Sequence, residues 1–175
     1  MQGYPLDPQY TDAADLSHMT VEMLADAPSA AYDQAAREEL VDALRTGLAD
    51  VAPYVTEVGP TIANVAGVVL DVYPREETVA LISRVRQVIR DVRGEAALQH
   101  SGGAPHISAA HAWGSASSDT LNGRLRNELE ERRASLDVGQ VHLLDDTWSI
   151  DKGTGGWRMS WKPVAEIRLG TALDR

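Results

Sequence analysis

Two short runs of the sequence carry a histidine that is followed, two residues later, by a hydroxyl side chain. His18 precedes Thr20 in this way, and His106 precedes Ser108. Both runs are short, apolar and bounded by turn or loop residues, a pattern that indicates β-strands, in which residues i and i+2 point to the same face. We therefore expect each histidine to share a face with its own hydroxyl.

If the two strands lie side by side, two imidazoles and two hydroxyls meet in one cleft. Imidazole has an ordinary pKa of about 6.5, so at neutral pH one ring can accept a proton while the other donates one. The hydroxyls would bind the non-bridging oxygens of a phosphate, because donors aimed at the developing charge stabilise it. This set of groups suits a phosphodiester or a cyclic phosphate, and it requires neither a metal ion nor a cofactor.

The two triplets at their wide spacing, the second preceded by Pro105, resemble the signature of the two-histidine phosphoesterase superfamily. That superfamily includes the 2′-5′ RNA ligase-like proteins and the cyclic nucleotide phosphodiesterases. The late segment 141–170 also looks like the closing hairpin of these proteins. The resemblance spans residues 16–170, nearly the whole chain.

The resemblance implies an α+β fold of two lobes, related by a pseudo-twofold axis, with antiparallel-rich sheets flanked by helices. It implies a hydrolase that opens 2′,3′-cyclic phosphates of nucleotides or RNA ends. His18 and His106 would be the general acid and base, in an order that the sequence leaves open, and Thr20 and Ser108 would bind the phosphate.

The start of the chain departs from the family pattern. A strand and a helix normally precede the first triplet, whereas here His18 follows only 17 residues. We therefore expect the first lobe to lack its outer strand and helix. The exposed sheet edge would be covered by residues 1–15 or by a second copy of the chain in a homodimer.

The elements that position the triplets can be predicted from periodicity and turn signals. Residues 1–15 are an irregular lead-in, residues 16–170 a single domain, and residues 171–175 a tail. Motif strands are expected at 16–24 and from 105, helices at 31–51 (with Ser29 as N-cap), 76–92 and 120–134, and further strands at 54–58, 62–73, 138–150 and 157–169. The unit "motif strand, helix, two strands" then occurs twice, which agrees with two lobes.

Several other residues are candidates for the site. The four tryptophans, Trp113, Trp148, Trp157 and Trp161, are candidates to stack on a nucleobase, although core or rim packing is the preferred interpretation of each. Trp113, which follows the second motif strand, is the first one to test. Glu22 shares the face of the first triplet, where it would line the cleft rim, although a solvent-facing carboxylate is the preferred interpretation.

The remaining histidines and the cations are less informative. We interpret His111 as structural, and His100 and His142 as incidental. A zinc site of His18, His106 and His111 is disfavoured, because simple alternation sends the last two to opposite faces. Lys162, Arg168 and Arg158 are candidate phosphate cations among which the sequence does not choose, and the glycine-rich run 153–156 is predicted to be a hairpin turn.

Composition limits the class of protein. With 175 residues, 43% of them hydrophobic, the chain can bury one proper core, and the absence of cysteine excludes disulfides and thiolate metal sites. No leader or long apolar run is evident, so we expect a soluble, cytoplasmic protein with no membrane contact. A net charge of −10 opposes binding of long nucleic acids and favours a small nucleotide or an RNA end as the partner.

Three alternatives remain from other classes of function. The same cleft could bind a nucleotide or RNA end without turning it over. The chain could instead be a metal-dependent hydrolase, or an interaction protein that uses an uncovered sheet edge.

Overall fold

The computed structural model describes residues 18–65, 67–98, 103–112, 117–129, 132–150, 152 and 157–170, with the side chains of His111, Trp157 and Arg158 outside that description. The helices in this part are α1 (Gln34–Leu48), α2 (Glu76–Arg93) and α3 (Ser118–Glu128). The strands are β1 (Tyr54–Ala63), β2 (Gly67–Tyr73), β3 (His106–His111), β4 (Ala134–Val138), β5 (Gln140–Ile150) and β6 (Trp157–Arg168).

The strands form two antiparallel sheets. The larger sheet has the order β3-β2-β1-β4, and the smaller one is the β5-β6 hairpin. Helices lie on the outside, so the predicted α+β class with antiparallel sheets and flanking helices is confirmed. No helix in the described ranges is long and apolar enough to cross a membrane.

The hydrophobic core joins two of the helices to strands of both sheets. It contains Leu44 from α1, Leu81 and Val85 from α2, Val138 from β4 and Ile167 from β6, with exposures between 1% and 8%. Val21 and Leu24, just after the first triplet, pack half-buried against this cluster, and α3 packs separately on β1. The first triplet is therefore tied to the core through its own apolar continuation.

The chain changes sheets at Gly139. We predicted one strand over 138–150, but β4 pairs with β1 while β5 pairs with β6, and Gly139 alone separates them. The Leu169 amide donates to the Gly139 carbonyl at 2.9 Å, which ties the end of β6 to this switch. The predicted strand is therefore confirmed over 140–150, and only its first residue, Val138, belongs to the separate strand β4. Alternation along a strand records which face a residue is on but not which strand it pairs with.

The strand before this switch also begins earlier than predicted. We expected α3 to continue to residue 134, but it ends at Glu128, and Leu129 takes an extended backbone as its amide donates to the Leu125 carbonyl. Ala134 already belongs to β4. Ala134 favours a helix by itself, and its pairing with Val58 of β1 overrides that preference.

A bulge runs through the middle of β1. We predicted a break between two strands at Gly59 and Pro60, but β1 continues past them with one extra residue between Val58 and Thr61 in its pairing with β2. Gly59 has φ of +110°, a conformation that glycine adopts readily. Pro60 has no amide hydrogen to donate, so a bulge at this position leaves no donor of the ladder unpaired.

The reversal after β1 comes later, at Asn64. The Asn64 amide donates to the Gly67 carbonyl at 2.8 Å, and its side-chain oxygen accepts from the Gly67 amide at 3.0 Å. These two hydrogen bonds close the turn into β2.

The helical predictions differ in accuracy. Helix α2 was predicted almost to the residue, whereas α1 begins at Gln34 rather than near residue 31. Ser29 opens only a single 3-10 turn, and the N-cap of α1 is Asp33, whose carboxylate accepts from the Ala36 amide at 2.8 Å.

Candidate active site

The two triplets meet through their middle residues. Met19 and Ile107 are partners in an isolated antiparallel bridge. Antiparallel pairing sets His18 opposite Ser108 and Thr20 opposite His106, and alternation places all four on the face away from the bridge residues. Each histidine thus faces the hydroxyl of the other triplet, which is the relation that a local twofold axis through the bridge would give.

This pairing also sets the separation of the two histidines. His18 and His106 occupy diagonal positions across the bridge, a relation with a typical separation of roughly 7 to 8 Å. The register therefore brings the two histidines to neighbouring positions on one face.

The first triplet lies in an extended segment rather than in a regular strand. We predicted a strand over 16–24, but Met19 makes the single ladder contact found in the described part of that stretch. Residues 1–17 lie outside the described ranges, so the expected cover of this edge by residues 1–15 is outside them too.

His18 packs against an aromatic ring. Trp161, on β6, meets the imidazole edge-on, with ring centroids 4.8 Å apart and an interplanar angle of 73°. The contact limits how His18 can rotate. Of the four tryptophans considered from the sequence, Trp161 is therefore the one that the structure brings to a triplet, whereas Trp113 lies outside the described residues.

His106 has a fixed ring orientation. Its Nδ1 lies 2.8 Å from the carbonyl oxygen of Ala104. Because a carbonyl only accepts hydrogen bonds, Nδ1 must carry the hydrogen and donate. The other nitrogen, Nε2, is left as the atom that can gain or lose a proton.

A cavity of about 920 Å³ opens beside the first triplet, and we call it the motif cleft. His18, Thr20, Ser108 and Trp161 border it, and aliphatic residues from α1, α2 and β6 line its inner wall. His106 is exposed at the start of β3 and is not among the described residues that border this cavity. The structure therefore brings three of the four predicted triplet residues to the motif cleft and leaves the fourth beside it.

Acidic side chains outnumber basic ones around the motif cleft. Glu22, Asp137, Asp145 and Asp146 border it, and Arg37 is the single Lys or Arg residue among its described lining. Most of the donors of Arg37 are already used, as the next contacts show. The described wall therefore offers hydroxyls and imidazoles to an anion, rather than an uncommitted guanidinium.

Arg37 is held in place by several acceptors. Its Nη1 donates to both carboxylate oxygens of Asp145, at 2.7 and 2.9 Å, and its Nη2 donates to the Ser29 carbonyl at 2.8 Å. Its Nε donates to the Tyr32 carbonyl at 3.2 Å. These contacts join α1 to β5 across one end of the motif cleft.

The cations that we considered from the sequence lie elsewhere. Lys162 is exposed, and Arg168 donates to Glu166 at 3.0 Å while its side chain stays 75% exposed. Neither residue is among the described lining of the motif cleft. The Arg158 side chain is outside the described part.

Glu22 does not face solvent, and the preferred interpretation of that residue was wrong. Its side chain is only 3% exposed and forms an ion pair with Arg86 of α2. Its other carboxylate oxygen accepts from the Met23 amide at 2.8 Å. The sequence did not reveal this partner, because Arg86 lies on a helix with many charged residues and no local pattern links it to residue 22.

A second buried carboxylate was also missed. Asp26 accepts from Nη2 of Arg93 at 2.8 Å and from the hydroxyl of Tyr32, and the Arg93 guanidinium lies 4.5 Å from the centre of the Tyr32 ring. Burial alone would raise the pKa of Asp26, but the hydrogen bonds from Tyr32 and Arg93 outweigh it, so that pKa lies below its ordinary value. The spacing of Arg86 and Arg93, two helical turns apart on one face of α2, was the signal that could have suggested a paired segment.

Of the other histidines, His142 borders the motif cleft, whereas His100 and the His111 side chain lie outside the described residues. His142 is exposed and is hydrogen-bonded to Gln140 at 3.0 Å. The pairing of β2 with β3 shifts register between Val68 and Val69, so the simple alternation used for His111 does not run through the strand. No group of three His, Asp or Glu side chains among the described residues could hold a metal ion.

Comparison with known proteins supports the fold. No family model matches the sequence, and no curated protein matches it. Among solved structures, the fold is similar to that of TT0787 of Thermus thermophilus, with a TM-score of 0.62 and 12% identity over 90% of this chain and 80% of that chain. At this identity the likeness concerns the fold alone, so the chain shares the overall architecture of the TT0787 structure.

Proposed function

We propose that this chain is a two-histidine phosphoesterase that opens 2′,3′-cyclic phosphates without a metal ion. The observation that carries the proposal is the bridge between Met19 and Ile107, which makes His18 and Ser108, and Thr20 and His106, cross-strand neighbours. Two proton-transfer groups and two hydroxyls on one face are the minimum set for such a reaction.

In this mechanism the cyclic phosphate lies between the two imidazoles. One ring removes a proton from the attacking water, the water oxygen bonds to phosphorus, and the bond from phosphorus to one ribose oxygen breaks. The other ring donates its proton to that departing oxygen, which gives a phosphomonoester and a free hydroxyl. Thr20 and Ser108 donate hydrogen bonds to the non-bridging oxygens as negative charge develops on them.

The Ala104 hydrogen bond assigns the reacting atom of His106 in either role. Since Nδ1 is committed to the carbonyl, proton transfer by His106 uses Nε2. The edge-on contact with Trp161 supports a defined ring position for His18 in the same way.

The charges of the motif cleft favour a small substrate. Its described carboxylates would repel a long phosphate backbone, and its aliphatic wall suits an uncharged base or sugar. We therefore propose a nucleoside 2′,3′-cyclic phosphate, or the cyclic phosphate end of a short RNA, as the substrate class.

The direct test is hydrolysis of 2′,3′-cyclic nucleotides in EDTA by the wild type, His18→Ala and His106→Ala. We expect a bell-shaped pH dependence for the wild type and a loss of at least about a hundredfold in kcat/KM for each variant. His142→Ala is the comparison variant: its ring borders the motif cleft but is hydrogen-bonded to Gln140, so we expect a much smaller loss than for either triplet histidine.

Full activity in both single variants would refute the assignment of the two histidines. Tight binding of the nucleotide without any product would refute turnover and identify the chain as a binding module. Activity that disappears in EDTA and returns with zinc would replace the mechanism with a metal-dependent one.

A further inference from the structure

The chain from His18 to Asp26, which we call the motif-1 segment, is held on helix α2 mainly by side chains. Within the described ranges, its backbone has one contact to another element beyond the Met19 bridge, from the Ala25 amide to the Ala97 carbonyl at 3.1 Å. Its other attachments are made by side chains: Val21 and Leu24 pack half-buried on the core. Glu22 pairs with Arg86, and Asp26 pairs with Arg93.

The first of these pairs is the more buried. The Glu22 side chain is 3% exposed and that of Arg86 is 22% exposed. Removing a carboxylate from water costs several kcal/mol unless a well-placed partner compensates for it, so the position of Glu22 is strongly coupled to that of the guanidinium. Because α2 is packed into the core through Leu81 and Val85, this partner is attached to a rigid element.

Glu22 is also in register with the first triplet. Alternation along an extended chain places residues 18, 20 and 22 on one face. His18, Thr20 and Glu22 all border the motif cleft. The bridge at Met19 and the apolar packing of Val21 hold the segment without fixing charged groups. The ion pair at Glu22 adds a directional attachment two residues after Thr20.

We propose that the ion pair between Glu22 and Arg86 is a positioning device that sets His18 and Thr20 opposite the second triplet. The inference rests on the proposed function, and it assigns no contact between Glu22 and the substrate.

The test is Glu22→Gln, which keeps the shape of the side chain and removes its charge. NMR signals of the His18 imidazole and the Trp161 indole, recorded without substrate, report the position of the segment because these two rings are in contact. We expect both signals to shift, and we expect kcat/KM for the cyclic nucleotide to fall by about a hundredfold, the loss that a displacement near 1 Å can cause.

Asp26→Asn is the matched control, because it removes the same charge from the same segment at a second, somewhat more exposed ion pair farther along the chain from His18. Its stability should fall, while the His18 and Trp161 signals and kcat/KM should stay near those of the wild type. Equal shifts and equal losses in the two variants would mean that Glu22 has a general structural role, and the proposal would be wrong.

A second variant covers the case in which Glu22→Gln does not fold. The double variant Glu22→Gln/Arg86→Gln leaves no lone buried charge at this pair, and we expect it to fold with a displaced His18 signal and low activity. Unmoved His18 and Trp161 signals in a folded variant would overturn the proposal. If the wild type has no turnover but the signals still move, positioning by Glu22 is supported and the proposed function is the part that fails.

Discussion

At the scale of single residues, Asp26 links the stability of the motif-1 segment to pH. Its carboxylate accepts hydrogen bonds from Arg93 and Tyr32, and its pKa is lowered although burial opposes that shift. A group with a lowered pKa stabilises the folded state fully above its unfolded pKa, about 3.9 for Asp, and loses that contribution as the pH falls through the folded value.

We therefore expect Asp26→Asn to reduce the free energy of unfolding by about 1 to 3 kcal/mol at neutral pH. The difference from the wild type should begin to shrink below about pH 4, where the carboxylate of the unfolded chain takes up a proton, and should vanish as the pH falls through the lower pKa of the folded state. Urea unfolding at several pH values measures it. Asp42→Asn, in an ion pair whose carboxylate is 75% exposed, should change little at any pH. A wild-type advantage that stayed constant into acid would contradict this account.

The candidate reacting residues were easier to predict from the sequence than the residues that hold them in position. His18, Thr20, His106 and Ser108 stand out because their types and spacing carry the chemistry, and that reasoning is local. Glu22 was misjudged because its environment is set by Arg86, which lies far along the chain and comes close only when α2 packs into the core. Trp161 was one indole among four, and nothing in its neighbourhood in the sequence distinguished it.

At the scale of elements, the bulge in β1 depends on one glycine. Gly59 has φ of +110°, and a Cβ added to it would lie 2.0 Å from the carbonyl oxygen of Arg132. Because the obstacle is backbone, a side chain could fit only if β1 or the approach to β4 moved.

We expect Gly59→Ala to lower the free energy of unfolding by about 2 kcal/mol or more. Gly139→Ala is the matched control, since a Cβ added at Gly139 would have no atom within 4 Å and the residue has no left-handed φ, so its effect should be small. Chemical denaturation of the two variants compares them directly. Equal stability of the two variants would show that the bulge is not as strained as its geometry indicates.

Helices and strands with a strong periodic pattern could be predicted from the sequence. Strand boundaries that depend on which strands pair with each other could not. Helix α2 and strand β6 follow from their own patterns. Strands β4 and β5 are separate because β4 pairs with β1 and β5 pairs with β6, on either side of Gly139. Which strand a segment pairs with is a property of the folded sheet that no local sequence pattern records. Gly59 and Pro60 resembled a turn because the same residues that make turns also make bulges.

At the scale of the whole molecule, the proposed function requires that charge act against large anionic substrates. The net charge is −10, and the described wall of the motif cleft has more carboxylates than cations. Electrostatic repulsion between exposed charges weakens as salt shortens the screening length, which is about 8 Å at physiological ionic strength.

We expect added salt to lower KM, and to lower it more for a short RNA with a cyclic phosphate end than for a mononucleoside cyclic phosphate, because the RNA carries more charge. If the cleft were basic, added salt would raise KM instead, because salt weakens the binding of an anion to a positively charged surface. Initial rates for both substrates across a series of NaCl concentrations provide the measurement. A KM for the short RNA that rises steeply with salt would contradict the repulsive cleft.

The bridge between Met19 and Ile107 also has a consequence for biosynthesis. The two halves of the site lie far apart in the sequence, so closing that loop carries an entropic cost that short-range contacts do not. A nascent chain that has not yet emerged past residue 106 holds one triplet and nothing to oppose it. Under the proposed mechanism, a growing or truncated chain is therefore inert toward cyclic phosphates until well over half of it is made, and the activity arises in one step rather than gradually.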